Sequence, residues 1–344
     1  MDKFMCETSK TALLKEVYNH LEDEESQKIY VARSLFSLSD DNTYMTEIVR
    51  NMTLSKTLVE KLTLHKDRIL VLFGAGTWGK AILQFFPEIK WDYIVDNCKS
   101  GQVIKGNRIV SLSDIQKYNE CYFVISVLFD YRAIVRQLLS LGVPEENMLI
   151  LGEIATQRQY FDLPYLDFSE NEIFIDAGGF NGDTTVKFAK TTGGCYKQIY
   201  VFEPNQKLSS ECRTNLADLT NCMIIQKGVW DSKQVLRFVE AEEGSRIVDE
   251  MEDLSEIETD TIDDVLEGKP ATYIKMDVEG AEINALKGAR KTICKYKPKL
   301  AISVYHKRDD IWEIPMLLLR YNPEYRFYLR VYSFTGNDTV LYAL

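Results

Sequence analysis

The sequence predicts an α/β protein with two open, doubly wound sheets in tandem behind a helical lead-in. The second sheet is expected to be mixed and closed by a C-terminal antiparallel hairpin. Three observations predict this. Two segments, beginning at Arg68 and at Glu172, each open with a short apolar strand that runs into a glycine turn and then a helix, the setting of parallel β/α units. Residues 1–73 contain neither glycine nor proline, which favours helix. The chain ends with two strand-like runs, Arg326 to Tyr332 and Thr339 to Leu344, flanking the turn residues Thr335-Gly336-Asn337-Asp338, the pattern of a hairpin.

In the lead-in, residues 1–67, Leu13, Leu14, Val17 and Leu21 fall on one helical face. Ser39-Asp40-Asp41 reads as a stop and a new cap, and Thr43 to Leu64 as further helix. Glu22 to Glu25 is expected to be a solvated face. Residues 68–152 then give a first α/β domain. Its strands are Arg68 to Phe73, Trp91 to Asp96, Tyr122 to Leu128 and Met148 to Leu151, with helices after Gly79 and over Tyr131 to Leu141 and turns at Gly101, Gly106 and Asn107. This reads as a small parallel sheet covered by helices.

Residues 153–170 carry no period and serve as a connector. The second domain, 171–344, starts with strand Ile173 to Asp176, the turn Gly178-Gly179-Phe180-Asn181-Gly182 and a helix from Asp183. Strand Gln198 to Phe202 ends at Glu203, helix Gln206 to Leu219 follows, and then strand Met223 to Gln226. Residues 240–264 are acidic and read as an irregular excursion, in which Gly244-Ser245-Arg246 are candidates to line an acceptor site. Strand Thr272 to Met276 ends at Asp277, and strand Leu300 to Val304 ends at Tyr305-His306. Trp312, Ile314, Leu317 and Leu318 are core residues of a late helix that Pro315 should start or kink.

Charge narrows the function. The formal net charge of −11 argues against a nucleic-acid groove and against attraction to anionic lipid. The longest apolar run, Cys121 to Phe129, is too short to span a bilayer. No apolar stretch follows the charges of the first residues, so no leader is expected and the location is read as cytoplasmic. Seven scattered cysteines, with no CxxC, suit reduced thiols rather than a disulfide framework or a thiolate zinc site. Three histidines are too few for a histidine-rich metal centre.

The two glycine turns carry different chemistry. Gly74-Ala-Gly76-Thr-Trp-Gly79 has no acid in the turn or at the preceding strand end, and Asp96 lies 20 residues past Gly76. Gly74, Gly76, Gly79 and Asp96 therefore form a candidate nucleotide site, with backbone N–H groups for a phosphate and a carboxylate for a ribose. A tight turn without a ligand is the plainer alternative. The second turn begins with Asp176 at the strand tip and has Asp183 directly after Gly182. Two carboxylates there would repel a diphosphate and suit a ligand that carries a cation. S-adenosylmethionine (SAM) carries a sulfonium, an ammonium and one carboxylate, and no phosphate. Glu203 at the next strand tip can accept both ribose hydroxyls. The cofactor set is thus Asp176, Gly178, Gly179, Phe180, Gly182, Asp183, Thr184, Glu203, Pro204 and Asn205.

The segments Ile175-Asp-Ala-Gly-Gly-Phe-Asn-Gly-Asp-Thr184, Val201-Phe-Glu-Pro204, Thr261-Ile-Asp-Asp-Val265 and Ile274-Lys-Met-Asp-Val-Glu-Gly-Ala-Glu282 resemble the FkbM-type SAM-dependent methyltransferases. The resemblance covers about residues 171–344 and implies the class I methyltransferase fold. It implies O-methylation of hydroxyls on sugars, glycolipids or macrolides. By position, Asp176, Gly178, Gly182 and Glu203 match the family's cofactor residues, and Asp277, Glu279 and His306 match positions near the reacting centre. The turn reads Gly179-Phe180 where many members have Ala-Asn. Residues before 153 resemble, more loosely, small Rossmann domains attached to sugar-modifying enzymes, which implies a nucleotide-sugar or docking role.

Methyl transfer to a hydroxyl needs alignment and removal of a proton. His306 is the expected base or acceptor-orienting group, with Asp277 or Glu279 assisting; a packing histidine is the alternative. Asp277 and Glu279 also invite a Mg²⁺ or Ca²⁺ site, although no metal is predicted. Two other functions stay open: a nucleotide-sugar or NAD-dependent enzyme centred on the first glycine turn, and a non-catalytic protein that keeps the SAM fold.

Overall fold

Without glycine or proline to interrupt it, the lead-in folds as helices α1 (Lys10–Asn19), α2 (Glu24–Ser39), α3 (Thr46–Asn51) and α4 (Thr53–Leu64). The expected single helix over Thr43 to Leu64 is broken at Met52, whose ψ of 154° is extended; Met52 is buried, so the break serves packing. The structure, a computed structural model, describes residues 10–128, 131–161, 163–239, 246–247 and 255–344. These fall into two compact units. One takes Tyr160–Arg330 and Val340–Leu344 with the N-terminal residues up to Leu38; the other takes Ser39–Gln159 and Val331–Thr339. The lead-in, read from sequence as one segment, thus divides between them.

The unit around Ser39–Gln159 is built on β1 (Ile69–Phe73), α5 (Thr77–Phe85), β2 (Tyr93–Val95), β3 (Val103–Ile104), β4 (Asn107–Val110), β5 (Cys121–Ile125), α6 (Tyr131–Ser140), β6 (Met148–Ile150) and α7 (Leu151–Arg158). The sheet runs β3-β4-β2-β1-β5-β6. It is parallel except for β3, which forms a hairpin with β4 around the left-handed Lys105 and Gly106. The central β5 is buried along its whole length, as a parallel strand covered on both faces must be. Phe334 packs edge-on against Trp78 and Phe86 within this unit.

The other unit contains β7 (Ile173–Ala177), α8 (Asp183–Thr191), β8 (Gln198–Phe202), α9 (Gln206–Asn215), β9 (Cys222–Ile225), β10 (Gly228–Val229), β11 (Val235–Val239), β12 (Arg246–Ile247), β13 (Ser255–Asp260), α10 (Ile262–Leu266), β14 (Tyr273–Met276), α11 (Glu282–Gly288), α12 (Arg290–Tyr296), β15 (Lys299–Ser303), α13 (Asp310–Tyr321), β16 (Phe327–Val331) and β17 (Thr339–Ala343). Its seven-stranded sheet runs β16-β17-β15-β14-β7-β8-β9. The five strands from β9 to β15 are parallel, and β17 is antiparallel to β15. The order reverses between β7 and β14, so a crevice opens at the carboxyl ends of these two strands.

Three expectations change here. Glu22 to Glu25 is tied down rather than only solvated: Arg330 pairs with Asp23 at 2.7 Å and with Glu25 at 3.5 Å, and Leu21 bridges Phe327. The acidic excursion is partly regular, since β13 pairs antiparallel with β11 and parallel with β10. Gly244 and Ser245 lie outside the described residues, as does the side chain of Arg246, so their expected place in an acceptor lining falls outside them too. The connector holds α7 and delivers the buried Tyr160, which has a left-handed φ of 71°.

Candidate active site

β7 ends in a turn that cannot tolerate side chains at its glycines. A Cβ on Gly178, whose φ is +86°, would lie 1.8 Å from the carbonyl oxygen of Asp277; one on Gly179 would lie 2.3 Å from Val201 Cγ1. The turn therefore presses directly on the tips of β14 and β8. Gly182, at φ +91°, caps α8, and Asp183 is its exposed first residue. Asn181 accepts from the Asp183 N–H and donates to its carboxylate at 3.0 Å. Thr184 is half-buried beside it. Phe180 is half exposed and sits at φ +50°, a strained conformation for an aromatic residue.

Asp176 does not face an open pocket. It is wholly buried, its Oδ2 accepts from Thr185 Oγ1 at 2.7 Å, and its Oδ1 lies 3.0 Å from the ammonium of Lys275. Lys275 is itself buried, and its Nζ donates to the carbonyls of Ala177 (3.4 Å) and Gly178. Burial works against the lysine charge, but Asp176, Asp277 and Glu203 outweigh it and hold its pKa above the ordinary value. The pair is neutral as a whole and braces the glycine turn from beneath. Asp176, expected as an anionic contact for a cationic ligand, is already paired within the protein, and free charge at the turn is left to a neighbouring acid.

Glu203 supplies it. Its Oε2 accepts the Phe180 N–H at 2.8 Å and its Oε1 the Asn205 N–H at 2.9 Å. Burial pushes its carboxyl up to about 7, against the pull of these two N–H groups and Lys275. Each oxygen keeps a lone pair for a further donor, and the two backbone bonds fix the plane of the carboxylate. Asn205 caps α9, its side chain accepting from the Leu208 N–H at 3.0 Å, and the half-buried Pro204 links the two. This donor-poor, acceptor-rich edge could hold a diol such as that of a ribose.

Beyond the tip of β14 the residues change character. Asp277 accepts from Tyr160 at 2.7 Å and from Tyr305 at 3.4 Å, and it lies 3.5 Å from His306 Nε2. Its burial is outweighed by Lys275, His306 and the hydroxyls of Tyr160 and Ser303, so its pKa is lowered and it is ionised. His306 Nε2 also lies 3.3 Å from Glu279, and Nδ1 lies 2.9 Å from Glu282. These are charge contacts whose angles fall short of hydrogen bonds. Burial opposes a charge on the ring, yet Glu279, Glu282 and Asp277 prevail and raise its pKa to about 11. Ringed by these acids, the His306 ring favours its protonated form. The sequence-predicted Asp277, Glu279 and His306 are thus brought together, joined by Glu282, Tyr160, Tyr305 and Lys275, which sequence reasoning missed. Lys275 alone carried a signal, as a lone charge in an apolar strand.

In the other unit, Gly74 takes φ +112°, and a Cβ on Gly79 would lie 2.0 Å from the Gly74 carbonyl oxygen. Gly76 has open space where a Cβ would sit. Asp96 is engaged by the protein itself: it accepts the N–H groups of Ala75 (2.8 Å), Cys98 (2.9 Å) and Lys99 (3.1 Å). It clamps the turn.

Residues 176–334 match the family model of the methyltransferase FkbM domain. The chain carries an FkbM methyltransferase domain. It is a SAM-dependent methyltransferase, and its seven-stranded sheet is the class I architecture. The FkbM methyltransferase of Methylobacillus flagellatus is similar in structure, with a TM-score of 0.51 at 18% identity over 93% of this chain and 99% of that one. Aeropyrum pernix fibrillarin, solved with SAM bound, matches with a TM-score of 0.37 at 11% identity, covering 56% of this chain and 73% of that one. No curated protein matches this chain. No helix among its described residues is long and apolar enough to cross a membrane.

Proposed function

We propose that the chain transfers the methyl group of SAM to a hydroxyl of a carbohydrate or a related glycan or natural-product acceptor. The observation that carries this reading is the Asp277 cluster at the carboxyl end of β14, directly against the Gly178 turn. Asp277 is about a quarter exposed and Glu279 about half, so both can accept hydrogen bonds from acceptor hydroxyls. SAM supplies an activated methyl group; transfer breaks the carbon–sulfur bond, forms the oxygen–carbon bond and releases the hydroxyl proton. Asp277 and Glu279, the carboxylates beside His306, are the groups placed to take that proton and pass it to water. His306 keeps the two acids oriented and ionised, while Glu203 and the Gly178–Gly182 turn hold the nucleoside so that oxygen, carbon and sulfur can align.

Incubation with SAM and a panel of nucleotide sugars and free glycosides tests the acceptor class, with the demethylated product S-adenosylhomocysteine (SAH) as the readout. His306→Ala is expected to abolish turnover and leave SAH affinity nearly unchanged. Full activity in that variant refutes its role; methylation of protein or RNA but no glycoside refutes the acceptor class.

A further inference from the structure

We infer that Asp277, Glu282 and His306 form a binding site for a divalent ion of the manganese type. The three residues come from different elements: the end of β14, the first turn of α11 and the segment after β15. One ligand atom from each lies within 4.8 Å of the others. Glu282 is fully buried, and only one of its oxygens is used: Oε1 accepts the Val278 N–H at 3.0 Å, whereas Oε2 has no hydrogen-bond partner. The ring nitrogens of His306 approach acids on both sides but meet none at a hydrogen-bonding angle.

A buried carboxylate oxygen left without a donor is costly; Lys275 is committed to Asp176 and two carbonyls, and an ion bound here would displace the extra proton of His306, leaving a neutral ring nitrogen to ligate it. A metal ion satisfies several acceptor lone pairs at once and needs no donor hydrogen. The donor set also selects the ion. Two carboxylates with one imidazole are a mixed oxygen–nitrogen set, which suits Mn²⁺ and its transition-metal neighbours better than Ca²⁺. The pair that the sequence offers for Mg²⁺ or Ca²⁺, Asp277 with Glu279, is a different one. Glu279 is half exposed at the rim, while Glu282 lies at the floor.

The inference deepens the methyltransferase reading, because Asp277 belongs to both. Its test therefore measures two ligands separately on the full chain after EDTA treatment. Titration with Mn²⁺, followed by loss of the free-ion electron paramagnetic resonance signal, is expected to show one bound ion per chain. Glu282→Gln keeps an acceptor for the Val278 N–H and is expected to weaken Mn²⁺ binding at least about 100-fold, the upper end of what even an outer-shell partner costs. His306→Gln should do the same and serves if Glu282→Gln fails to fold. SAH binding by calorimetry is expected to persist in both. Absence of Mn²⁺ binding to the wild-type chain, or wild-type affinity in either folded variant, overturns the metal site. Loss of SAH binding in the wild-type chain would instead strike the methyltransferase reading.

Discussion

Replacing Lys275 with methionine separates two roles for Asp176, as brace or as cofactor contact. The variant leaves a wholly buried carboxylate whose ammonium partner, 3.0 Å away, has gone. It also strips the Gly178 carbonyl of its ammonium donor, while the Ala177 carbonyl keeps the Asp277 N–H. Removing one member of a buried pair typically costs about 3–5 kcal/mol, because the other charge stays desolvated. For a domain of this size, at about 2–4 °C per kcal/mol, the melting temperature should fall by about 6–20 °C. Adding Asp176→Asn removes the orphan charge yet still accepts from Thr185, so the double variant should recover much of the loss. What remains is the cost of the Gly178 carbonyl, about 1–3 kcal/mol for a buried group left unpaired. Differential scanning calorimetry of the four proteins closes the cycle. A loss below about 1 kcal/mol in Lys275→Met, or no recovery in the double variant, would show that Asp176 is not held by Lys275 and faces its ligand after all.

Three further outcomes follow from the same contacts. The Glu203 carboxyl titrates at about 7 when folded, above its ordinary 4.5; its contribution to stability is present below that ordinary value and lost as pH rises toward 7, and the ionised form is the one that accepts ribose hydroxyls. SAH affinity by calorimetry should therefore climb between pH 5 and pH 7, by up to about tenfold per unit, and level off above, with the slope gone in Glu203→Gln; a flat profile in the wild-type chain counts against the assignment. Tyr160→Phe removes a 2.7 Å donor to the Asp277 carboxylate and should cost about 1.5–3 kcal/mol in thermal unfolding, with SAH binding kept. Gly79→Ala must push a Cβ 2.0 Å from the Gly74 oxygen and should destabilise by at least about 1–3 kcal/mol, whereas Gly76→Ala, with open space at φ −79°, should change stability by under about 0.5 kcal/mol.

The sheets were legible because their strands are short apolar runs bounded by glycine turns, and parallel strands buried on both faces must read that way. Glu203 and Asp277 were legible as acids at strand tips. What stayed hidden depends on distance along the chain. Tyr160 lies in an aperiodic connector, 117 residues from the carboxylate it meets. Asp176 looks anionic in sequence, but its charge is cancelled by Lys275, a contact made only when β14 pairs with β7. His306 has the ordinary pKa of a base until Glu279 and Glu282, one rim-exposed and one buried, close around it.

The two glycine turns, read from sequence as chemical opposites, share one construction. In each unit, a side chain on the strand next to the first one donates to the carbonyls at the turn. Ser126 Oγ reaches Phe73 (3.1 Å) and Gly74 (2.8 Å), and Lys275 Nζ reaches Ala177 and Gly178. In each, the acid after the second strand accepts an N–H from inside the turn: Asp96 from Ala75, Glu203 from Phe180. The difference lies in the brace. A serine can stand alone, but a buried lysine needs a counter-charge, and Asp176 is that counter-charge. Its acidity therefore reports the choice of lysine rather than the charge of the ligand. Discrimination against a diphosphate at the second turn passes to Glu203 and the exposed Asp183, the acids that stay unpaired by any cation at hydrogen-bonding distance among the described residues. Since Asp183 is open to solvent and screened, Glu203 is expected to carry most of that discrimination, and a chain with Glu203→Gln should lose selectivity for a nucleoside without phosphate as well as affinity for it.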